Sequence, residues 1–133
     1  MIEFSYPVRV YIEDTDAGGI VYYVNYLKYM ERCRTELLRS LGYGKTAILE
    51  GGLLLVVKSA HIDYVKPARL DDELTTTATP IKIARTYIVL KQAVFNGETL
   101  LCQGEIKIAC VSGGEVMRPV ALPEGMREKL QAG

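Results

Sequence analysis

The sequence contains one histidine, His61, and that scarcity excludes several kinds of active site. A Ser-His-Asp or Cys-His mechanism would have to use His61, and no serine or cysteine stands in a sequence context that supports one. A zinc site needs several histidine or cysteine ligands, so a metal centre of that kind is not expected. His61 itself falls inside a predicted strand, where a structural or surface role is the simpler interpretation.

The glycine-based motifs of nucleotide-binding and hydrolase folds are also missing. The chain has no G-x-S-x-G sequence, which excludes the nucleophile elbow of the α/β-hydrolases. The pair Gly18-Gly19 fits neither a G-x-G-x-x-G fingerprint nor a P-loop. A nucleotide-binding fold is therefore not expected.

Charge and hydropathy exclude two further classes of protein. Sixteen Lys and Arg residues balance sixteen Asp and Glu residues, whereas a nucleic-acid-binding domain usually carries a basic excess. No apolar run reaches the roughly 18 residues that a membrane-spanning helix needs. The first ten residues do not resemble a signal peptide, and the three cysteines show no C-x-x-C spacing. We therefore expect free thiols and a cytoplasmic protein.

The length suits one domain over residues 1–133, and a hydrophobic content of 49 % is enough to build its core. A long amphipathic helix is predicted over 25–41, with Asn25 as its N-cap and Gly42 just past its end. The apolar stripe of this helix recurs every three or four residues and comprises Tyr26, Met30, Cys33, Leu37 and Leu41.

Alternating or continuous apolar segments predict five strands around this helix. The first is predicted over 8–13, where apolar and polar residues alternate. The others are predicted over 53–65, 73–81, 86–95 and 99–111, with a hairpin turn at Asn96-Gly97. A short helix is expected over about 123–130, with Pro123 as its first residue. This order indicates an α+β fold in which a largely antiparallel sheet curls around the long helix.

The strand predicted over 53–65 also bears on assembly. Its leucines and valines alternate without polar residues between them from Leu53 to Val57, so both faces are apolar. One sheet curled around one helix can bury only one of these faces. The other face and the open strand edge would be prone to association, so we expect an oligomer.

The segment EDTDAGGIVYY (13–23) allows more than one interpretation. It can be a polar loop with turn glycines, or its two aspartates can be a weak pair of metal ligands. It can also be catalytic, because a carboxylate just ahead of a helix can attack a carbonyl or activate water. The unpaired N–H groups of the helix start can hold the developing oxyanion, and Gly18 and Gly19 permit close approach.

Residues 8–42, VRVYIEDTDAGGIVYYVNYLKYMERCRTELLRSLG, resemble the signature of the 4-hydroxybenzoyl-CoA thioesterase family and are closest to its YbgC-type branch. The segment IDYVKPARLDDELT (62–75) is similar to the second and third strands of that family. The resemblance implies a thioester hydrolase with a hotdog fold, in which a curled antiparallel five-stranded sheet wraps a long central helix. It also implies dimers formed through sheet edges, often paired into tetramers, with active sites between protomers.

The same resemblance implies a role for each matching residue. Asp16 matches the catalytic carboxylate, which acts as nucleophile or general base, and Asp14 matches a structural, loop-fixing one. The backbone N–H of Tyr23 matches the donor that polarises the thioester carbonyl. The YbgC-type branch commonly has histidine at that position, and tyrosine there resembles the 4-hydroxybenzoyl-type branch. The implied substrate-binding residues are Gly19, Ile20, Val21, Tyr22 and Tyr26.

The implied substrate is a small or medium acyl-CoA or acyl-carrier-protein thioester, with coenzyme A as part of the substrate and no separate cofactor. No metal, nucleic acid or membrane span is expected, and the implied assembly is a cytoplasmic homotetramer made of two dimers. Two alternatives remain open. One is a non-catalytic hotdog protein that binds acyl groups or acts as a scaffold. The other is a hotdog hydratase or dehydratase, which generally pairs a carboxylate with a histidine.

Overall fold

The computed structural model describes residues 1–43 and 52–132, which form a five-stranded antiparallel sheet and two helices. The strands are β1 (Phe4–Arg9), β2 (Leu53–Tyr64), β3 (Glu73–Ile83), β4 (Tyr87–Asn96) and β5 (Thr99–Ser112). The helices are α1 (Asn25–Ser40) and α2 (Glu124–Gln131), and a short 3₁₀ helix covers Ile12–Asp14. The α+β prediction, with one long helix packed on an antiparallel sheet, is confirmed.

Helix α1 lies against β1, β3 and β4 and provides much of the core. Its apolar stripe is buried as its spacing predicts, except that Leu41 is only partly buried. The helix ends in a Schellman motif, because the N–H of Tyr43 bonds to the carbonyl of Leu38 and that of Gly42 to Arg39. Gly42 has φ +101°, a left-handed conformation that glycine adopts without strain.

The two edges of the sheet are β1 and β2, since the strand order is β1-β3-β4-β5-β2. Strand β1 has 6 residues and contains Pro7, which has no N–H to offer to another strand. Strand β2 has 12 residues and no proline, and the side chain of Val57 is 52 % exposed. The β2 edge is therefore the one left open to pairing.

The predicted first strand over 8–13 is wrong in its position. Val8 and Val10 are buried as the alternation requires, but β1 ends at Arg9 and Ile12 is 77 % exposed. The chain turns into the 3₁₀ helix because the Asp14 carboxylate accepts a hydrogen bond from the Tyr11 N–H at 2.9 Å. A side-chain hydrogen bond of this kind ends the strand, and the alternation of apolar and polar residues does not reveal it.

Two helix starts also differ from their predictions. Asn25, predicted as the N-cap, is the first residue of α1, and Val24 occupies the cap position without a side-chain cap. Pro123, predicted as the first helical residue, is the N-cap of α2. The other strand bounds lie within a few residues of their predicted positions. No helix in the two described ranges is long and apolar enough to cross a membrane.

Candidate active site

The loop that leads into α1 is a small hairpin with Asp16 at its base. Thr15 and Val21 form an isolated antiparallel bridge, and the Asp16 N–H donates to the carbonyl of Ile20 at 2.9 Å. The turn inside is closed by the Gly19 N–H, which donates to the Asp16 carbonyl at 3.0 Å. Gly19 has φ +75°, so this turn favours glycine. These backbone hydrogen bonds give the loop a defined conformation.

The carboxylate of Asp16 is exposed. Its Oδ1 accepts a hydrogen bond from the Gly18 N–H at 2.9 Å, which fixes the direction of the side chain. The carboxylate therefore lies at a defined position and remains open to a substrate or to water.

Asp14 differs from Asp16 in being buried, at 4 % exposure. Its Oδ2 accepts from the Tyr11 N–H at 2.9 Å and its Oδ1 from the side-chain amide of Asn25 at 2.8 Å. Its main-chain carbonyl accepts from the Tyr22 N–H at 2.9 Å. Asp14 thus joins the 3₁₀ helix, the loop and the start of α1.

The turn just before α1 leaves the backbone N–H of Tyr23 available. The Asn25 N–H bonds to the carbonyl of Tyr22 at 2.8 Å, and Tyr23 lies inside the turn that this bond closes. Within residues 1–43 and 52–132, the N–H of Tyr23 makes no hydrogen bond. Its side chain is 57 % exposed. An unpaired N–H just ahead of a helix can donate to an oxyanion, and it lies near the positive end of the helix dipole.

Beside this donor lies an open cleft of about 230 Å³, here named the aromatic cleft. The ring of Tyr64 meets those of Tyr26 and Tyr23 with centroids 5.6 and 6.0 Å apart. The Tyr26 hydroxyl accepts a hydrogen bond from the Ala68 N–H at 2.8 Å, which fixes this ring at the cleft base. The cleft is lined by Val21, Tyr23, Tyr26, Tyr64, Val65, Lys66 and Pro67.

The structure brings some of the predicted site residues together and leaves others apart. Val21, Tyr23 and Tyr26 line the aromatic cleft. Tyr22 does not line it, although its ring lies 4.8 Å from that of Tyr23. Three further predicted residues lie in the hairpin loop outside this cleft, namely Asp16, Gly19 and Ile20.

The end of β2 supplies the residues that sequence reasoning missed. Tyr64, Val65, Lys66 and Pro67 form the wall opposite the start of α1. The only signal in the sequence is an aromatic residue at the end of a long strand, followed by a Lys-Pro pair. Nothing in that signal says that the strand end faces α1, because the two segments meet only through tertiary packing.

Burial raises the pKa of several acidic groups around the cleft. It raises the pKa of Tyr26 and of Tyr64, and it raises the pKa of Cys102, which pairs with Tyr64 across β2 and β5, to about 12. Burial also raises the pKa of Tyr29, and the Asp14 carboxylate adds to that rise. Apart from Lys66, the cleft is therefore lined by uncharged and largely apolar side chains.

Other potential reactive groups lie elsewhere. Cys33, Cys102 and Cys110 are all buried and unpaired, so none is placed as a nucleophile. His61 lines a separate open cleft with Asp63, Lys91 and Glu105. In the part of the chain that the structure describes, no group of three His, Cys, Asp or Glu residues could hold a metal ion.

The chain is similar to known proteins over nearly all of its length. A family model described as the thioesterase superfamily matches residues 18–103. The chain is 42 % identical over 125 residues to "Acyl-CoA thioesterase YbgC" of Haemophilus influenzae, covering 93 % of this chain and 91 % of the relative. It is 40 % identical over 124 residues to "Acyl-CoA thioester hydrolase YbgC" of Escherichia coli, with 92 % of each chain covered.

A solved structure shows the same similarity in three dimensions. The crystal structure of a probable thioesterase from Bartonella henselae has a TM-score of 0.79 and 31 % sequence identity. The match covers 91 % of this chain and 98 % of the other. The family match begins at Gly18 and takes in Tyr23, α1 and the end of β2, so it includes both walls of the aromatic cleft.

Proposed function

Because the chain belongs to the thioesterase superfamily, we propose that it hydrolyses the thioester bond of acyl-CoA substrates. The observation that carries the proposal is a single local unit. An exposed, oriented Asp16 carboxylate and an unpaired Tyr23 N–H stand on the same loop-to-helix segment, and the aromatic cleft begins at Tyr23. These are the parts that hydrolysis of an activated acyl group requires.

The proposed reaction proceeds from polarisation of the carbonyl. The Tyr23 N–H donates to the thioester oxygen and stabilises the negative charge that develops there. The Asp16 carboxylate then either attacks the carbonyl carbon, giving an acyl-enzyme anhydride that water hydrolyses, or takes a proton from the attacking water. In both routes the C–S bond breaks, the acyl carbon gains an oxygen from water and the thiolate of coenzyme A gains a proton. No resident metal or cofactor is used.

The aromatic cleft is the proposed site for the acyl group. Its volume of about 230 Å³ suits a small or medium acyl chain, and the rings of Tyr23, Tyr26 and Tyr64 offer apolar contact surface. Coenzyme A or the phosphopantetheine arm of an acyl-carrier protein would extend away from the cleft. Gly19, Ile20 and Tyr22 would contact that arm rather than the acyl chain, since they lie outside the cleft.

We further propose that the enzyme acts in the cytoplasm as a homotetramer made of two dimers. The support is the long, proline-free β2 edge, where Leu53 to Val56 are only half-buried. Light scattering coupled to size exclusion should give the mass of a tetramer. Val57→Lys, on that edge, should shift the mass downward, whereas Val116→Lys, in the exposed turn after β5, should not. A stable, fully active single chain would contradict the assembly.

The function itself is tested with purified protein and a panel of acyl-CoA esters that varies in chain length and in aromatic character. A colorimetric thiol trap records the coenzyme A released. We expect turnover of at least one class of ester. Tight binding of these esters without release of thiol would instead indicate a non-catalytic acyl-binding protein and would reject the proposal.

A further inference from the structure

Three residues around the hairpin loop form a closed ring of hydrogen bonds. The carbonyl of Asp14 accepts from the Tyr22 N–H at 2.9 Å, and the carbonyl of Tyr22 accepts from the Asn25 N–H at 2.8 Å. The side-chain amide of Asn25 then donates to Oδ1 of Asp14 at 2.8 Å, which closes the ring. Two bonds of this ring are made by backbone alone, and the third joins two side chains.

The ring encloses both groups of the proposed chemistry. Asp16 lies in the segment between Asp14 and Tyr22, and Tyr23 lies in the turn between Tyr22 and Asn25. The position of the carboxylate relative to the N–H donor therefore depends on this closed path, together with the Thr15–Val21 bridge and the hydrogen bonds of Asp16 within the hairpin loop. A change in the ring would move one group relative to the other.

The side-chain bond of the ring is buried, so it is costly to break. Asp14 is 4 % and Asn25 7 % exposed, and a buried carboxylate that loses a donor is left poorly solvated. Asn25 is spared from capping α1, since Val24 holds the cap position. The amide is thus committed to Asp14, which in turn also holds the Tyr11 N–H.

We propose that Asn25 is a positioning residue, which acts through Asp14 to hold the Asp16 carboxylate and the Tyr23 N–H in register for the reaction. This inference rests on the proposed thioester hydrolysis for its kinetic consequence. Its geometric content stands on the hydrogen bonds alone. Neither Asn25 nor Asp14 contacts the substrate in the proposed reaction.

The proposal is tested by swapping the side chains of Asp14 and Asn25. Asn25→Asp sets two carboxylates against each other where the hydrogen bond was, so kcat should fall by about 10- to 100-fold while KM changes little. Asp14→Asn alone should cost less, because the new amide can accept from the Tyr11 N–H and donate to a reoriented Asn25. The double variant Asp14→Asn/Asn25→Asp restores one donor facing one acceptor, and its kcat should return to within about three-fold of the parent.

Two further variants separate positioning from charge and from folding. Lys28→Gln changes the net charge by the same amount at an exposed position of α1 and should leave kcat unchanged. Asn25→Ala removes the donor without adding charge, and it should lower kcat even if Asn25→Asp does not fold. Circular dichroism establishes which variants are folded.

Amide hydrogen exchange supplies a readout that does not depend on turnover. The Tyr22 N–H should exchange faster in Asn25→Asp and recover its protection in the double variant. A parental protein without activity would reject the proposed function, and the exchange data would still decide the role of the ring. Parental kcat in a folded Asn25→Ala protein, or a double variant no better than Asn25→Asp in kcat and in exchange, would overturn the proposal.

Discussion

The two walls of the aromatic cleft are held in different ways. The helix-start wall, residues 21–26, is fixed together with the hairpin loop ahead of it by the Thr15–Val21 bridge and by the buried bonds of Asp14. The strand-end wall, residues 64–67, is tied by the N–H groups of Val65 and Lys66, which both donate to the carbonyl of Leu101. Its side chains are largely exposed, with Tyr64 at 46 % and Val65 at 50 %.

This difference separates two demands on an enzyme. Under the proposed function the reacting groups must be held within a fraction of an ångström, and the hairpin loop and the helix-start wall have the hydrogen bonds to do that. Under the same proposal the strand-end wall only contacts the acyl chain, so its side chains can be less constrained. We therefore expect substitutions in the first wall to change kcat and substitutions in the second to change KM and acyl preference.

The largest effect should follow Asp16→Asn in the hairpin loop that is held together with the helix-start wall. This change keeps size and polarity but removes the negative charge, so kcat should fall by about 10²- to 10⁴-fold. Because Asp16 is exposed, the melting temperature should stay near that of the parent. Steady-state kinetics with the best acyl-CoA substrate checks the rate. Glu13→Gln, an exposed acidic neighbour, is the matched control, and a rate for Asp16→Asn equal to that control would remove Asp16 from the mechanism.

The next largest effect concerns the backbone of Tyr23. Tyr23→Phe keeps the N–H and should change kcat little. Tyr23→Pro deletes the N–H and should lower kcat by about 10²- to 10³-fold, as loss of an oxyanion donor does. The comparison requires that circular dichroism shows both variants folded. Equal losses in the two would instead point to the phenol ring or hydroxyl.

A smaller effect is expected in the strand-end wall. Tyr64→Ala removes the ring that contacts Tyr23 and Tyr26, so KM should rise by about 3- to 10-fold while kcat changes less. The order of preference along an acyl-CoA chain-length series should shift toward larger acyl groups. Tyr64→Phe retains the ring and serves as the control. If Tyr64→Ala lowered kcat as strongly as Asp16→Asn, the expectation that the strand-end wall affects mainly KM would be wrong.

The smallest effect is a difference in alkaline stability between the walls. Burial raises the pKa of Tyr29, behind the helix-start wall, above its ordinary value of about 10. The unfolded phenol ionises first as pH increases, so the stability that depends on the neutral form is present below pH 10 and lost above it. Melting temperatures measured from pH 8 to 11 should fall, and less steeply in Tyr29→Phe. Tyr64→Phe should follow the parent more closely, because Tyr64 is far more exposed.

Much of the fold could be predicted from local pattern. The spacing of apolar residues in α1 and in the strands reflects which side of each element is buried. The sheet and the helix pack against each other through those sides. The first strand ends earlier than its alternation predicts, because the Asp14 carboxylate binds the Tyr11 N–H and turns the chain there. The apolar pattern of the sequence does not reveal a hydrogen bond of this kind. The residue type of Asn25 predicts a helix cap, but its side-chain amide donates to Asp14, which lies outside the helix. The sequence does not indicate this partner.

The candidate site could be predicted only in part. Asp16 and Tyr23 stand within one continuous segment, so residue types and family resemblance were enough to propose them. The strand-end wall was missed because it joins the helix start through contacts distant in sequence. The bond from the Ala68 N–H to the Tyr26 hydroxyl, for example, spans 42 positions. Neither the order of residues nor their propensities indicates that pairing.

Because its three cysteines are buried, the folded protein contributes little signal of its own to a thiol assay. Because burial raises the pKa of each thiol, a colorimetric reagent meets little thiolate on the native protein, and the colour it develops reports released coenzyme A. When a molecule unfolds, all three thiols become reactive at once. In one assay, turnover therefore appears as a continuous increase in colour, whereas each unfolded chain reacts with three equivalents of the reagent. The same measurement thus distinguishes a folded but inactive variant from an unfolded one.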